Sequence, residues 1–255
     1  MEVLNKIRGK TILVTGGSRG IGRSISQLFA ENGGRIFIVY RSDVESAESC
    51  LAGLKGDGHQ CFRVDINDPE AIKDLWDEIN ANSERIDVVI NNAGIGFHHP
   101  VDQVSYEDWQ KGFSEILQTN LIATSNMCYH ASKHMIKHGG GKIINISSRG
   151  AFRGEPLMPA YGASKAGLNA LTQSLAQQLA PYNIYVGAIA PGFVETEMSR
   201  PRLEGEVGKA IAAQSPMNRV AQPEEVAEAT YLMACGNMWM TGAIIDVNGA
   251  SYLRT

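Results

Sequence analysis

The sequence predicts an α/β fold: a doubly wound, mainly parallel sheet with helices on both faces. Short apolar runs alternate with helix-period segments along all 255 residues, the pattern of repeated βα units. The apolar runs are continuous rather than alternating, so both faces of each strand are buried, as in parallel sheets. A Gly-rich turn joins the first run to the first helical segment.

Residues 11–14 (TILV) form the first buried strand, rich in β-branched side chains. Residues 20–31 follow helical periodicity through Ile21, Ile25, Leu28 and Phe29, and Asn32-Gly33-Gly34 closes that helix. Residues 35–40 (RIFIVY) are the second strand. Residues 43–55 read as a helix stopped by Gly56-Asp57-Gly58, and residues 61–65 as the third strand. Asp68-Pro69 opens the next helix, with Pro at its first turn. Residues 87–91 (DVVIN) are the fourth strand, and residues 105–138 a long, mostly helical segment. Residues 142–147 are strand, 161–179 helix, 184–190 strand, 224–235 helix and 243–247 the last strand. No linker, repeat or low-complexity tract interrupts the series, so one domain over residues 1–255 is expected.

Hydrophobic residues make up 44% and the formal net charge is −4, enough apolar content for a sizeable core. No Lys/Arg run stands out, which argues against nucleic acid as a partner. Residues 1–10 carry no apolar leader, and no apolar stretch reaches bilayer length. No membrane partner and a cytoplasmic location are therefore expected. Cys50, Cys61, Cys128 and Cys235 are scattered and read as free thiols. His130, His134 and His138 recur at helical spacing beside the pair His98-His99, without a convergent carboxylate or thiolate set. They read as a helix face, and no metal is expected.

The chemistry gathers around Tyr161 and Lys165, four residues apart on one helix face. A cation beside a phenol favours the phenolate and draws its pKa down from near 10. Such a phenol can protonate a carbonyl oxygen or deprotonate an alcohol. At the other end, residues 15–22 read TGGSRGIG between the first strand and first helix. Gly16 permits the tight turn, Gly20 a close approach to a pyrophosphate, and Gly22 close helix–strand packing. The helix N-terminus offers unpaired N–H groups to the anion.

Thr-Gly-x-x-x-Gly-x-Gly resembles the short-chain dehydrogenase/reductase family. Asn91-Asn92-Ala93-Gly94, Asn120, Ser148, Tyr161-x-x-x-Lys165, Pro191-Gly192 and Thr196 follow in that family's order. The resemblance covers nearly the whole chain and implies a Rossmann-type, nicotinamide-dependent oxidoreductase. It implies a catalytic set of Asn120, Ser148, Tyr161 and Lys165. Ser148 rather than Ser147 would hydrogen-bond the substrate oxygen. Lys165 would also bind the nicotinamide ribose. Asn120 would hold a relay water to Lys165 or kink the helix, two compatible roles. The implied cofactor contacts are Gly16, Ser18, Arg19, Gly20, Ile21 and Gly22 in the turn, and Tyr40, Arg41 and Ser42 after the second strand. Asp65 and Ile66 would meet the adenine, although Asp65 reads equally well as a helix cap. Asn92, Ala93, Gly94, Tyr161, Lys165, Pro191, Gly192, Val194 and Thr196 complete the implied set.

The cofactor choice rests on charge. An acidic residue closing the second strand would repel a 2′-phosphate; Tyr40 stands there, with Arg41 next and Arg19 in the turn. Two guanidiniums favour NADP(H) over NAD(H). Residues 95–99, 150–158 and 193–202 are the candidate substrate walls, with Phe152, Leu157, Met158, Phe193 and Met198 apolar and Arg153 or Glu155 polar.

Within the family the chain most resembles 3-oxoacyl-(acyl-carrier-protein) reductases, through TGGSRGIG, PGFVET (191–196) and DVNG (246–249). That implies an acyl thioester among the candidate carbonyl or alcohol substrates. Two departures stand out. The positions aligned with carrier-docking arginines read Gly139 and Tyr182, and the stretch from Trp109 to Asn120 is about one helical turn longer. Lys133, Lys137 and Lys142 are substitute cations for an acidic carrier. The alternatives are an NAD(H)-dependent dehydrogenase of a sugar- or steroid-like alcohol, a nicotinamide-binding regulator without turnover, and a partner-binding protein. A homotetramer is implied by the family, and Leu117, Leu121, Ile122 and Met127 widen the apolar face of the long helix.

Overall fold

The computed structural model describes residues 6–82 and 84–254. Residues 1–5, part of the stretch read for a leader, lie outside them. The strands are β1 (Thr11–Thr15), β2 (Arg35–Tyr40), β3 (Gln60–Arg63), β4 (Val88–Asn91), β5 (Gly141–Ile146), β6 (Ile184–Pro191) and β7 (Ile244–Val247). They form one sheet in the order β3-β2-β1-β4-β5-β6-β7, with every pair parallel. The chain winds outward from β1 to β3, then returns to place β4 beside β1 and winds the other way. Such a reversal leaves a crevice at the carboxyl ends of β1 and β4, where ligands bind in sheets of this kind.

The helices are α1 (Gly20–Glu31), α2 (Val44–Ala52), α3 (Pro69–Ala81), α4 (Tyr106–Leu117), α5 (Thr124–Lys137), α6 (Gly150–Arg153), α7 (Pro159–Leu179), α8 (Gly205–Ala212) and α9 (Pro223–Cys235). They cover both faces. Ile12, Val14, Ile36, Ile38 and Ile90 pack with Ile25 and Phe29 of α1 and Val226 and Tyr231 of α9. Phe29 and Tyr231 meet edge to face at 5.2 Å. Leu13, Phe37, Val89 and Ile143 point the other way, onto Trp76 of α3, Met127 of α5 and Ala176 of α7. Each fully buried aliphatic chain of this kind contributes about 1.5–3 kcal/mol.

Several bounds differ from expectation. The third strand ends at Arg63, because Asp65 folds into a local turn: its Oδ1 accepts from Asn67 N–H at 2.9 Å and its carbonyl from Asp68 N–H at 3.0 Å. Asp68, not Asp65, caps α3, accepting from Glu70 N–H at 3.0 Å. The α2 helix stops at Ala52 rather than residue 55, through tightened bonds from Gly53 N–H to Cys50 and Leu54 N–H to Leu51. The long helical segment is two helices joined by a π-turn, Gln118–Ala123. α6 and α8 were not expected; the few apolar residues of α8, Val207 and Ile211, give little periodic signal.

Of the apolar residues on the long segment, Ile122 is exposed, Met127 is fully buried, and Leu121 packs where a Cβ on Gly167 would lie 2.9 Å away. All four cysteines are free. Burial pushes Cys128 up to about 12. Among the described residues, no helix is long and apolar enough to cross a membrane.

Candidate active site

The crevice between β1 and β4 opens into a cleft of about 620 Å³ running from Tyr40 to Arg202. Its floor is the Gly-rich turn, and the turn's shape follows from its glycines. Gly16 and Gly20 have φ of +63° and +48°, a region that favours glycine. A Cβ at Gly22 would lie 2.1 Å from Gly16 O and 2.6 Å from Asn92 Nδ2, so any side chain there would force the turn apart.

The turn is tied to the next strand. Asn92 Nδ2 donates to Thr15 O at 3.0 Å and Gly16 O at 3.1 Å. Thr15 Oγ1 accepts from Asn92 and Ala93 N–H at 3.0 and 3.1 Å. Arg19 sits at the helix start without a side-chain cap, leaving the first N–H groups of α1 facing the cleft beside Ser18 and Ile21. A glycine cradle with an uncapped helix N-terminus fits a pyrophosphate. Thr196 closes over it, its Cγ2 3.3 Å from a Cβ built at Gly20, with Pro191, Gly192 and Val194 alongside.

Tyr40, Arg41, Ser42, Asp65 and Ile66 line the far end. The two expected guanidiniums differ here. Arg19 is engaged, 3.4 Å from Asp43 and 3.8 Å from Glu197. Exposed Arg41 has no carboxylate within 4.0 Å among the described residues. Asp43 caps α2 through Ser46 N–H at 2.9 Å, a bond that holds its carboxyl below the usual range. Residue 43 was not singled out in the sequence; its capping spacing to Ser46 was the available signal.

At the other end, Asn120, Ser148, Tyr161 and Lys165 converge. Tyr161 and Lys165 face the cleft with Ser148, one turn apart near the start of α7, where Pro159 fixes the helix start. Ser148 shares a side-chain hydrogen bond with Tyr161, and its Oγ accepts from Gly150 N–H at 3.0 Å. Ser147 instead points into the protein and donates to Asn169 at 2.6 Å, so Ser148 is the hydroxyl at the cleft.

Lys165 is 5% exposed; its Nζ donates to Ile146 O at 2.8 Å and lies 5.8 Å from the Tyr161 ring centroid. Burial lowers Lys165 to about 8. The phenol departs from the expected electrostatics: burial pushes Tyr161 above its ordinary value, while the Ser148 hydrogen bond pulls back down. Desolvation is thus the larger influence on Tyr161, ahead of any pull from the cation.

Asn120, fully buried on the π-turn, accepts from Ile95 N–H at 2.8 Å and donates to Ile95 O at 2.9 Å and Ser164 Oγ at 3.1 Å. Ser164 donates to Tyr161 O at 2.8 Å. A Cβ on Gly94 would lie 3.1 Å from Asn120 Oδ1 and 3.5 Å from Lys165 Nζ, which shows how closely the three meet. The side chain of Asn120 therefore couples the loop after β4 to the first turns of α7.

Buried His99 does similar work. Its Nδ1 meets Phe97 O at 3.0 Å and its Nε2 accepts from Ala160 N–H at 3.2 Å, one residue before Tyr161. In the sequence the His98-His99 pair stood only within the candidate substrate wall 95–99, with no metal expected of it, because nothing local signals this distant partner.

The substrate walls hold Ile95, Gly96, Glu155, Met158, Phe193 and Met198. Arg149, unmarked in the sequence, is buried beneath them: it donates to Ser251 and Gln214 and stacks on Phe193 at 5.1 Å. Lys142 is not available at the surface for a carrier. Its Nζ turns inward to Ala234 O and Gly236 O, both at 2.5 Å, closing the C-terminus of α9.

Comparison with known proteins gives a consistent picture. A family model described as short chain dehydrogenase matches residues 10–207. The chain is 37% identical to a 3-oxoacyl-[acyl-carrier-protein] reductase of Aquifex aeolicus, over 99% of this chain and 100% of that one. It is 36% identical to the enzyme of that name from Chlamydia trachomatis, over 94% and 96%. Among solved structures, a putative gluconate dehydrogenase from Agrobacterium tumefaciens superposes with a TM-score of 0.88 at 29% identity, covering 97% of this chain and 98% of that one. A dehydrogenase/reductase from Sinorhizobium meliloti gives 0.87 at 29% identity, covering 99% of each.

Proposed function

The chain belongs to the short chain dehydrogenases, and on that premise we propose an NADP(H)-dependent oxidoreductase that interconverts a ketone and a secondary alcohol. The observation that carries this is the convergence of Ser148, Tyr161 and Lys165 at one end of a cleft whose other end is a glycine cradle. A bound nicotinamide would supply or accept the hydride. Tyr161 gives its phenolic proton to the carbonyl oxygen during reduction and takes one back during oxidation. Ser148 donates to the same oxygen as charge grows on it. Lys165, protonated below its lowered pKa, stabilises the phenolate left behind. Asn120 holds the loop after β4 against α7, keeping Lys165 and Tyr161 in register.

Gly16, Ser18, Gly20, Ile21 and Gly22 would hold the pyrophosphate. Asp65 and Ile66 would flank the adenine, and Asn92, Ala93, Gly94, Pro191, Gly192, Val194 and Thr196 would line the nicotinamide half. Tyr40, Arg41 and Ser42 would meet the ribose phosphate, with Arg41 the principal cation because Arg19 is already paired. The absence of a carboxylate at residue 40 supports NADP(H) over NAD(H).

The relatives named as 3-oxoacyl-[acyl-carrier-protein] reductases make acyl thioesters one substrate class to test. Gly139 and Tyr182 in place of docking arginines, and the inward Lys142, weaken electrostatic docking of an acidic carrier. The structural neighbour named as a putative gluconate dehydrogenase supports a second class, small polar carbonyl compounds, and Glu155 and Arg202 on the wall agree with it. We take the chain as one domain built on one sheet, and as a homotetramer; exposed Ile122, Tyr129 and Ile136 on the π-turn and α5 support the latter.

The test is loss of NADPH fluorescence with a panel of acetoacetyl thioesters, cyclic ketones and polar ketones. Turnover is expected with at least one class, and Tyr161→Phe should lose nearly all of it while still binding NADPH. Turnover retained in that variant would remove the proton-donor role. Binding of NADPH without turnover of any panel member would favour the regulator instead.

A further inference from the structure

We propose that Arg202 selects the substrate by pairing with a carboxylate on the carbonyl compound, so that this enzyme acts on short oxo acids or their hydroxy acids. The inference rests on the reading of the cleft as a carbonyl reductase site and names its substrate class.

Arg202 ends a short 3₁₀ turn, Arg200–Arg202. That turn is anchored at its start: Ser199 Oγ accepts from Thr196 N–H at 3.0 Å and donates to Val194 O at 2.5 Å. Arg202 N–H donates to Ser199 O at 2.8 Å. The segment that closes over the cofactor cradle therefore also fixes Arg202 at the substrate wall, where it lines the cleft with Met158, Phe193 and Met198.

Its guanidinium is half-buried and has a poor partner. Nη1 lies 3.3 Å from Met158 Sδ, a thioether. No carboxylate stands within 4.0 Å of it among the described residues. The other cations of this half are occupied: Arg149 by Ser251 and Gln214, Lys165 by Ile146 O. Glu155 and Glu197 also line the cleft; Glu197 lies 3.8 Å from Arg19, and the charge of Glu155 is felt by Arg149. A half-buried guanidinium facing an apolar wall gains most from a planar anion that it can grip with two parallel bonds.

Arg202 also reaches the reacting group: burial holds Tyr161 above its ordinary value, and the charge of Arg202 opposes that of Glu155 on the phenol. Burial, and after it the charge of Arg202, lowers the pKa of His98. Met158 caps α7 and Tyr161 lies within its first turn. Arg202, Met158 and Tyr161 all line the same cleft, so an anion gripped by Arg202 shares that cleft with the phenol. The length of the oxo acid that bridges the two groups is what a series of oxo acids reads out. Reduction leaves the carboxylate untouched: the carbonyl carbon gains the hydride and its oxygen the Tyr161 proton.

The experiment compares 3-oxobutanoate, 4-oxopentanoate and 5-oxohexanoate with their methyl esters, under saturating NADPH, in the full-length wild type, Arg202→Met and Arg202→Lys. The wild type should prefer at least one acid over its ester by tenfold or more in kcat/KM. In Arg202→Met that acid-to-ester ratio should fall at least tenfold, mainly through KM, with Arg202→Lys between. The saturated analogue of the preferred acid should inhibit the wild type at least tenfold more tightly than Arg202→Met. This binding readout holds even where the variant's turnover is low. Equal use of acids and esters by the wild type, or an unchanged ratio in Arg202→Met, overturns the assignment of Arg202 while leaving a carbonyl reductase. Absence of NADPH consumption with every acid, ester, ketone and thioester overturns the underlying reading as well.

Discussion

Gly96 lies against the ring of Tyr161: a Cβ built on it would stand 3.0 Å from Cδ2 and 3.3 Å from Cε2 of the tyrosine. The loop after β4 thus sets the plane of the phenol, and a methyl group there must push the ring. Gly96→Ala should lower kcat tenfold or more, about 1.4 kcal/mol of barrier, while NADPH still binds. Steady-state kinetics with fluorescence titration checks this; wild-type kcat would show that the ring yields without consequence.

Lys165 gives the reaction a pH limit. Burial lowers it to about 8, so its charge is present at neutral pH and is lost as pH rises through about 8. With the charge goes its support of the phenolate. The rate of carbonyl reduction should fall across that range. A single-turnover rate that stays level from about pH 7 to about pH 9 would contradict it.

His134 should make stability fall on mild acidification. Its Nε2 accepts from Ile86 N–H at 3.0 Å and its Nδ1 lies 2.9 Å from Asn80 Oδ1, an arrangement that needs Nε2 unprotonated. Burial, with His138 stacked at 4.3 Å, holds it down to about 4 from 6.5. The unfolded chain takes the proton near 6.5 and the native one near 4. The stability from this site is therefore complete above about pH 6.5 and is lost as pH falls toward 4. The slope is at most about 1.4 kcal/mol per pH unit for one proton. Urea unfolding of wild type and His134→Gln across that range should show a weaker pH dependence in the variant; identical slopes would locate the titration elsewhere.

Arg41 should govern the choice of cofactor. Arg41→Asp removes the cation without a carboxylate partner and, on the proposed reading, places a carboxylate where the ribose phosphate would lie. The KM for NADPH should rise at least tenfold, in line with about 1.5–3 kcal/mol for a hydrogen bond to a charged group. The KM for NADH should change much less. Equal increases for both would assign Arg41 a structural role only.

These expectations differ in how far the linear sequence could reach them. The glycine turn and the Tyr161–Lys165 spacing are local: each is a short pattern whose geometry a helix or turn imposes. The positions of the strands along the chain followed from continuous apolar runs for the same reason. The capping of α9 by Lys142 and the clamp by His99 were not legible. Each joins residues distant along the chain through hydrogen bonds that leave no periodic trace. Lys142 reads as one of three surface cations until Ala234 and Gly236 are brought to it. Arg202 is likewise one arginine among several until the folded chain shows which of them lack oxygen partners. The balance of effects on Tyr161 was hidden too, since desolvation depends on what covers the ring rather than on its neighbours in sequence.

The glycine cradle and the end of β2 answer to different constraints. Residue 22 has no room for any atom beyond Cα, whereas Arg41 is open to solvent. On the proposed reading, natural drift and protein engineering can therefore rewrite which nucleotide this molecule prefers by changing one or two outward side chains, leaving the grip on the diphosphate as it was. Coenzyme identity is a tunable trait here; coenzyme dependence is not.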